Sequence, residues 1–140
     1  MKVKTNEIVE IEDMEAPIFK SMLHFIYSDL VPDLEELKDD KDASVAMAQL
    51  LLVAADRYNL ERLKKLCQIR ICDLIDVNNV AITLTLAEQH NCSELKAACL
   101  KFIKPPEVLA AVALTDGFKH MILNCSENIE ELRKITKYSI

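Results

Sequence analysis

Residues 51–66 read LLVAADRYNLERLKKL, and in this stretch one helical pattern of apolar side chains ends where another begins. On both sides the apolar and small residues recur at intervals of three and four, which predicts two helices with one buried stripe each. We expect the helices to meet at a tight corner next to Asn59 and to bury their stripes together. The charged pair Asp56 and Arg57 is expected to face solvent or a partner protein, since exposed charges add little stability. The predicted stripes comprise Val45, Ala48, Gln49, Leu52 and Ala55, then Leu60, Leu63, Leu66 and Cys67.

The composition of the 140 residues favours a mainly α fold. It includes one Gly and four Pro, and 51% of the residues are hydrophobic. Few sites therefore exist for tight hairpins or phosphate-binding loops, whereas a packed helical core is well supplied.

Charge and hydropathy exclude several classes of partner. The net charge is -6 and the pI is about 5.1, which argues against nucleic acid and against an anionic membrane surface. The longest apolar run, 45–55, is well short of the ~20 residues that cross a bilayer. The first ten residues lack the apolar centre of a signal peptide, and the five cysteines lie in helical patterns typical of a reducing compartment. We therefore expect a location in the nucleus or cytoplasm and a protein partner.

Outward from the corner, the sequence predicts one short strand and a series of helices. Residues 8–12, IVEIE, suggest the strand, and Pro17 suits the first turn of a helix over 13–27. That helix is apolar around most of its circumference, so we expect it to be central and buried. Residues 29–42 are expected to form a charged loop, with a short extended piece at Leu30 and Val31. Downstream, helices are expected over 79–90, 93–103 and 108–113, around 118–122, and after Ser126, without a repeat at a fixed period.

Candidate catalytic or metal-binding residues are few. His24 has no second ligand at helical spacing and is interpreted as a rim histidine. His90 adjoins Cys92, with Cys99 two helical turns further, but no paired ligand spacing completes a zinc site. We expect buried small side chains there, and neither a catalytic residue, a metal nor a cofactor. A small helical enzyme using His90 and Cys92 remains the least favoured hypothesis.

Three segments, at 9–29, 51–67 and 80–103, resemble the BTB/POZ family in order and spacing. They read VEIEDMEAPIFKSMLHFIYSD, LLVAADRYNLERLKKLC and VAITLTLAEQHNCSELKAACLKFI. The likeness is strongest to plant MATH-BTB proteins and the related speckle-type POZ protein, and it extends over residues 1–124. It implies the C-terminal part of a BTB/POZ domain over 1–75, with one or two short strands plus helices, and a BACK-like helical extension over 76–140.

The resemblance also implies a function without catalysis. Family members are substrate adaptors: a MATH domain binds the substrate, BTB dimerises and docks a cullin, and a RING partner transfers ubiquitin. The sequence contains neither a MATH domain nor the first half of BTB, which suggests a truncated product. The family's cullin-contact motif, hydrophobic-x-Glu, falls on residues 1–3, where Val3 replaces the glutamate. The cullin-binding positions carried over are Met1, Val3, Tyr27, Ser28, Asp29, Tyr58, Asn59 and Leu60.

Two interaction hypotheses remain open. The chain is either a cullin-binding adaptor module or a degenerate relative that binds BTB partners, as homo- or hetero-oligomers, without recruiting a cullin. Because the strand at 8–12 lacks neighbouring strands, we also expect the isolated chain to be weakly stable or to self-associate through exposed apolar surface.

Overall fold

The computed structural model describes residues 16–124, which form helices joined by turns. No strand occurs among these residues, and the mainly α prediction is confirmed. The strand predicted at 8–12 and the helix predicted after Ser126 lie outside the described residues. None of the helices between 16 and 124 is long and apolar enough to span a bilayer. The helices are α1 (Ala16–Ser28), α2 (Pro32–Glu36), α3 (Lys41–Arg57), α4 (Glu61–Cys72), α5 (Val80–Gln89), α6 (Ser93–Ile103), α7 (Pro106–Ala113) and α8 (Asp116–Asn124).

The chain divides into two compact units within α4, at residues 67 and 68. In the first unit, α1 and α2 pack against α3. Leu51, Leu52 and Leu63 are fully buried and form the centre of this unit's core. The stripe predicted for α3 is confirmed apart from Gln49, which is half-buried.

Helix α2 corrects the prediction that 29–42 is a loop without regular structure. Pro32 occupies the first turn of α2, where its fixed φ suits the helix and its missing N–H leaves no donor unpaired. Leu34 is almost completely buried and anchors the helix by its packing. Val31, which precedes the helix, is buried as well, and the many charges of this segment concealed both apolar residues.

Helix α1 is amphipathic, so the prediction of a helix buried on most sides is wrong for its C-terminal half. Ile18, Met22 and Phe25 lie on one face and are buried. Ile26 and Tyr27 lie outside this face and are exposed. The apolar face that remains uncovered by residues 16–124 is a candidate interaction surface.

The corner between α3 and α4 is a Schellman motif built on Asn59. Its φ is 59°, in the left-handed region, where Asn is tolerated better than most residues. The Leu60 N–H donates to the Ala55 carbonyl at 2.8 Å, and the Asn59 N–H donates to the Asp56 carbonyl at 3.3 Å. These two bonds satisfy carbonyls that the end of α3 would otherwise leave unpaired.

The second unit repeats this corner between α5 and α6. Asn91 has a φ of 58°, and the Cys92 N–H donates to the Ala87 carbonyl at 2.8 Å. The sequences around the two asparagines correspond at an offset of 32 residues. This local correspondence does not amount to a repeat at one fixed period along the whole sequence. The matching buried positions are Ala55 and Ala87, Leu63 and Leu95, and Cys67 and Cys99.

Within the second unit, α5 packs against α6 and α8, and α7 contacts both of those helices. Gly117 permits a close approach between α8 and α5, because a Cβ there would lie 3.3 Å from Ile82 Cγ1. The start of α5 is capped reciprocally: the Asn79 N–H donates to Asp76 Oδ1, and the Asp76 N–H donates to Asn79 Oδ1, each at 2.9 Å. The turn formed by Asp76 and Asn79 thus leads into α5, whereas α4 ends earlier, at Cys72.

Candidate protein-interaction surface

The sequence-predicted positions at the end of α1 and at the α3–α4 corner lie in the same unit. Asp29 directly follows α1; its φ is 61°, and its N–H donates to the Phe25 carbonyl at 2.7 Å. The corner ends α3 with a second left-handed residue, Asn59. Each turn is therefore defined by one left-handed residue and by backbone hydrogen bonds to the preceding helix.

Arg62, in the first turn of α4, joins the two segments. Its Nη1 lies 3.0 Å from Asp29 Oδ1, and its Cζ lies 5.9 Å from the centroid of the Phe25 ring. The guanidinium thus combines an ion pair with a cation–π contact at the C-terminal end of α1. Sequence reasoning missed Arg62; the only local signal was a positive charge in the first turn of a helix, where acidic residues are favoured.

Aromatic and aliphatic side chains around this bridge are accessible. Tyr27 is 86% exposed, and Leu30 and Tyr58 are also exposed. Leu60 is half-buried beside the corner. We call the set formed by Tyr27, Leu30, Tyr58 and Leu60 the docking surface. Large aromatic side chains that remain accessible in this way are typical anchors of protein interfaces.

Ser28 and Asn59 have structural roles within the two turns. Ser28 Oγ lies 2.8 Å from His24 Nδ1 and 2.8 Å from the His24 carbonyl oxygen, so its hydroxyl is already engaged within α1. Asn59 supplies the backbone conformation of the corner. Met1 and Val3, the remaining predicted positions, lie outside the described residues.

An open groove of about 560 Å³ lies between the start of α1 and α2. Ser21 donates a hydrogen bond to Asp33 at its floor, which ties the two helices together. His24 is one of the residues that line the groove. The lining is mostly apolar, and it offers no converging set of catalytic groups among residues 16–124. The groove is lined by Ala16, Pro17, Lys20, Ser21, His24, Pro32 and Asp33.

Asp56 is a structural residue rather than part of the docking surface. Its Oδ1 accepts a hydrogen bond from Lys64 Nζ at 2.9 Å, and the two side chains retain 33% and 11% of their accessible area. The pair therefore connects the end of α3 to the start of α4. This is contrary to the expectation that Asp56 faces solvent or a partner. Arg57, its neighbour, is exposed as predicted.

The cysteines are suited to packing. Cys92 and Cys99 are buried, and Cys92 Sγ lies 3.6 Å from the His90 carbonyl oxygen. Burial raises the pKa of Cys99 to about 12, with a smaller contribution from Cys72. Burial also raises the pKa of the Cys72 thiol, together with the nearby Asp73 and Glu94 carboxylates. Both shifts disfavour the thiolate that nucleophilic or metal chemistry requires.

Metal-binding geometry is likewise missing from the described segment. Between residues 16 and 124, no group of three or more His, Cys, Asp or Glu side chains could hold a metal ion.

Two family models match the sequence. The model described as BTB/POZ domain matches residues 1–75, and the model described as BPM/SPOP, BACK domain matches residues 79–133. Together the two matches account for most of the chain.

Curated relatives in Arabidopsis thaliana are named for a BTB/POZ and a MATH domain. The chain is 48% identical over 126 residues to "BTB/POZ and MATH domain-containing protein 3", which covers 89% of this chain and 31% of the relative. It is 41% identical over 132 residues to protein 4 of the same series, covering 90% and 28%. It is 37% identical over 139 residues to protein 6, covering 94% and 33%.

The chain thus spans about a third of the length of these curated relatives. Its helices agree with the mainly α fold implied by the resemblance, and BTB and BACK domains are both present. The chain belongs to the BTB/POZ family, with a BACK domain and with relatives among the MATH-BTB proteins.

Proposed function

We propose that the chain is the protein-interaction module of a substrate-specific adaptor for a cullin-RING ubiquitin ligase. Family membership and the MATH-BTB relatives support this role. In this proposal, residues 1–75 form the C-terminal part of a BTB/POZ domain and residues 76–140 form the BACK-like extension. The module acts by binding, in the nucleus or the cytoplasm, and a RING partner performs ubiquitin transfer.

The observation that carries the proposal is the docking surface. Tyr27 stands almost fully exposed at the end of α1, and the bridge from Arg62 to Asp29 connects that end to the corner that bears Tyr58. A tyrosine offers a large apolar contact area and a hydroxyl, with little entropy to lose on binding. Two such residues on fixed turns suit a folded protein partner better than a small molecule.

We assign the cullin contact to Tyr27, Leu30, Tyr58 and Leu60, with Asp29 beside them. The sequence-based set also includes Met1 and Val3, through the hydrophobic-x-Glu motif, and Ser28 and Asn59; Leu30 is added to it here. Val3 cannot accept the charge-assisted hydrogen bond that a glutamate would accept. The aromatic positions must then provide most of the contact energy.

The test is a binding measurement between the full chain and the N-terminal region of a cullin that recruits BTB proteins. We expect Tyr27→Ala and Tyr58→Ala each to weaken binding by about 30-fold, which corresponds to a hot-spot loss of about 2 kcal/mol. Leu114→Ala is the matched control, because Leu114 is 83% exposed but lies in the second unit. Circular dichroism of each variant checks that the helices are intact.

The proposal fails if the cullin does not bind at concentrations at which a complete BTB adaptor binds. It also fails at these residues if Leu114→Ala and Tyr27→Ala weaken binding equally.

Val3 favours a second candidate function: a degenerate relative that binds BTB partners without recruiting a cullin. Substitution Val3→Glu separates the candidates. If only the Val3→Glu variant binds the cullin, while the natural chain still binds a complete BTB protein, the second candidate is correct. Equal strong cullin binding by both chains removes it.

A further inference from the structure

The two halves of the docking surface lie on different helices, and their arrangement depends on one long side chain. Tyr27 and Leu30 flank the end of α1, whereas Tyr58 and Leu60 flank the corner that begins α4. An ion pair connects the end of α1 to α4, because Arg62 Nη1 lies 3.0 Å from Asp29 Oδ1. A partner that touches both halves needs them at a constant separation, because misplacement of either loses contacts.

The position of Arg62 is unfavourable for its own helix. A positive charge in the first turn opposes the helix dipole, and α4 already places the acidic Glu61 there. Helix α1, by contrast, has no basic residue in its last turn. The Arg62 guanidinium, which belongs to α4, therefore supplies the positive charge that the C-terminal end of α1 lacks. The contact with Asp29 explains why Arg62 occupies this position.

Asp29 needs such a partner because of its backbone. Its φ of 61° is uncommon for a residue other than glycine. The residue is held there by its N–H bond to the Phe25 carbonyl and by the ion pair with Arg62. Phe25 is buried, and the Arg62 guanidinium carbon lies 5.9 Å from the centroid of its ring.

We propose that Arg62 is a positioning residue of the docking surface: it holds Asp29 in its left-handed turn and thereby sets the spacing between Tyr27 and Tyr58. This inference rests on the proposed function, since it concerns the same surface. The guanidinium is 75% exposed, so its ion pair weakens with added salt.

The first measurement is independent of any partner. Amide hydrogen exchange at Asp29 reports whether its bond to the Phe25 carbonyl opens. We expect Arg62→Gln to speed this exchange about five-fold, the effect of one favourable exposed ion pair. Lys65→Gln is the matched control, because Lys65 is an exposed cation on the same helix and its loss changes the net charge equally.

The second measurement is a double-mutant cycle on cullin affinity. Arg62→Gln should weaken binding about five-fold, and Arg62→Lys should retain most of the affinity since it keeps the charge. Asp29→Asn removes the carboxylate while keeping a residue that tolerates a left-handed turn. In the Asp29→Asn background, Arg62→Gln should have no further effect, because Arg62 then has no carboxylate to hold.

Each outcome decides a separate question. Unchanged exchange at Asp29 in Arg62→Gln overturns the positioning role, whether or not the cullin binds. Faster exchange with unchanged affinity also overturns it, as does a full effect of Arg62→Gln in the Asp29→Asn background, which would indicate direct contact with the partner. Absence of cullin binding by the natural chain sinks the proposed function alone, and the exchange result then decides whether Arg62 fixes the turn.

Discussion

Lys64 Nζ and Asp56 Oδ1 lie 2.9 Å apart across the corner between α3 and α4, and the Lys64 side chain keeps only 11% of its accessible area. The last turn of α3 is thereby connected to the first turn of α4. A charge this well shielded is costly unless a counter-charge lies beside it.

We predict that Asp56→Ala lowers the free energy of unfolding by about 2 kcal/mol, because it removes this carboxylate from a nearly buried ammonium. Lys64→Met should cost less, since Asp56 is better exposed and methionine keeps most of the packing of the lysine stem. Urea denaturation measures both. Arg57→Ala, at the exposed neighbouring position, should stay within about 0.5 kcal/mol of the natural chain. A larger loss for Lys64→Met than for Asp56→Ala would contradict this account.

The second prediction concerns the stability of variants at the two left-handed asparagines. Asn59→Ala and Asn91→Ala should each destabilise the chain by about 1 kcal/mol, since alanine is strained at positive φ. Asn59→Gly and Asn91→Gly should be neutral or slightly stabilising, because glycine adopts this conformation freely. Thermal unfolding compares the four variants. Asn78→Ala is the control, at an exposed turn position without positive φ. Equal effects of alanine and glycine would show that the side chain, not the backbone, matters.

Cys99 predicts a pH dependence of stability. Burial raises its pKa to about 12, above the value of about 8.5 expected in the unfolded chain. The folded state therefore keeps a proton that the unfolded state loses, and this contribution is complete below about pH 8 and lost as the pH rises toward 12. At pH 10 we expect the loss to be about 1 to 2 kcal/mol. Urea denaturation at pH 8 and pH 10, with Cys99→Ala as reference, isolates it. An identical pH dependence in the variant would refute the prediction.

The exposed face of α1 predicts self-association. Ile26 and Tyr27 present exposed apolar area outside the buried face of the helix. We expect light scattering coupled to size exclusion to show a mass that rises with protein concentration, and Ile26→Lys to suppress the rise. Ile69→Lys is the matched control, because Ile69 is exposed to a similar degree on α4 in the second unit. A sharp monomer peak at every concentration would count against the prediction.

Local patterns in the sequence determined where the helices lie. The intervals of three and four predicted α3 and α4 and the corner at Asn59, because the period of an α-helix is set by its own backbone. Pro17 and the paired prolines at 105 and 106 marked helix boundaries for the same local reason. The segments at 9–29, 51–67 and 80–103 also indicated the BTB/POZ family, which the matched family models confirm.

Only the tertiary structure decided which faces are covered and which charges meet. Asp29 and Arg62 lie 33 positions apart, and no local pattern announces their contact. Burial of Leu34 turned a charged segment into α2, and the pairing of Lys64 made Asp56 structural. Whether an apolar face is core or docking surface depends on neighbours supplied by distant parts of the chain. Periodicity alone therefore overestimated the burial of α1, since it identifies an apolar face without identifying what covers it.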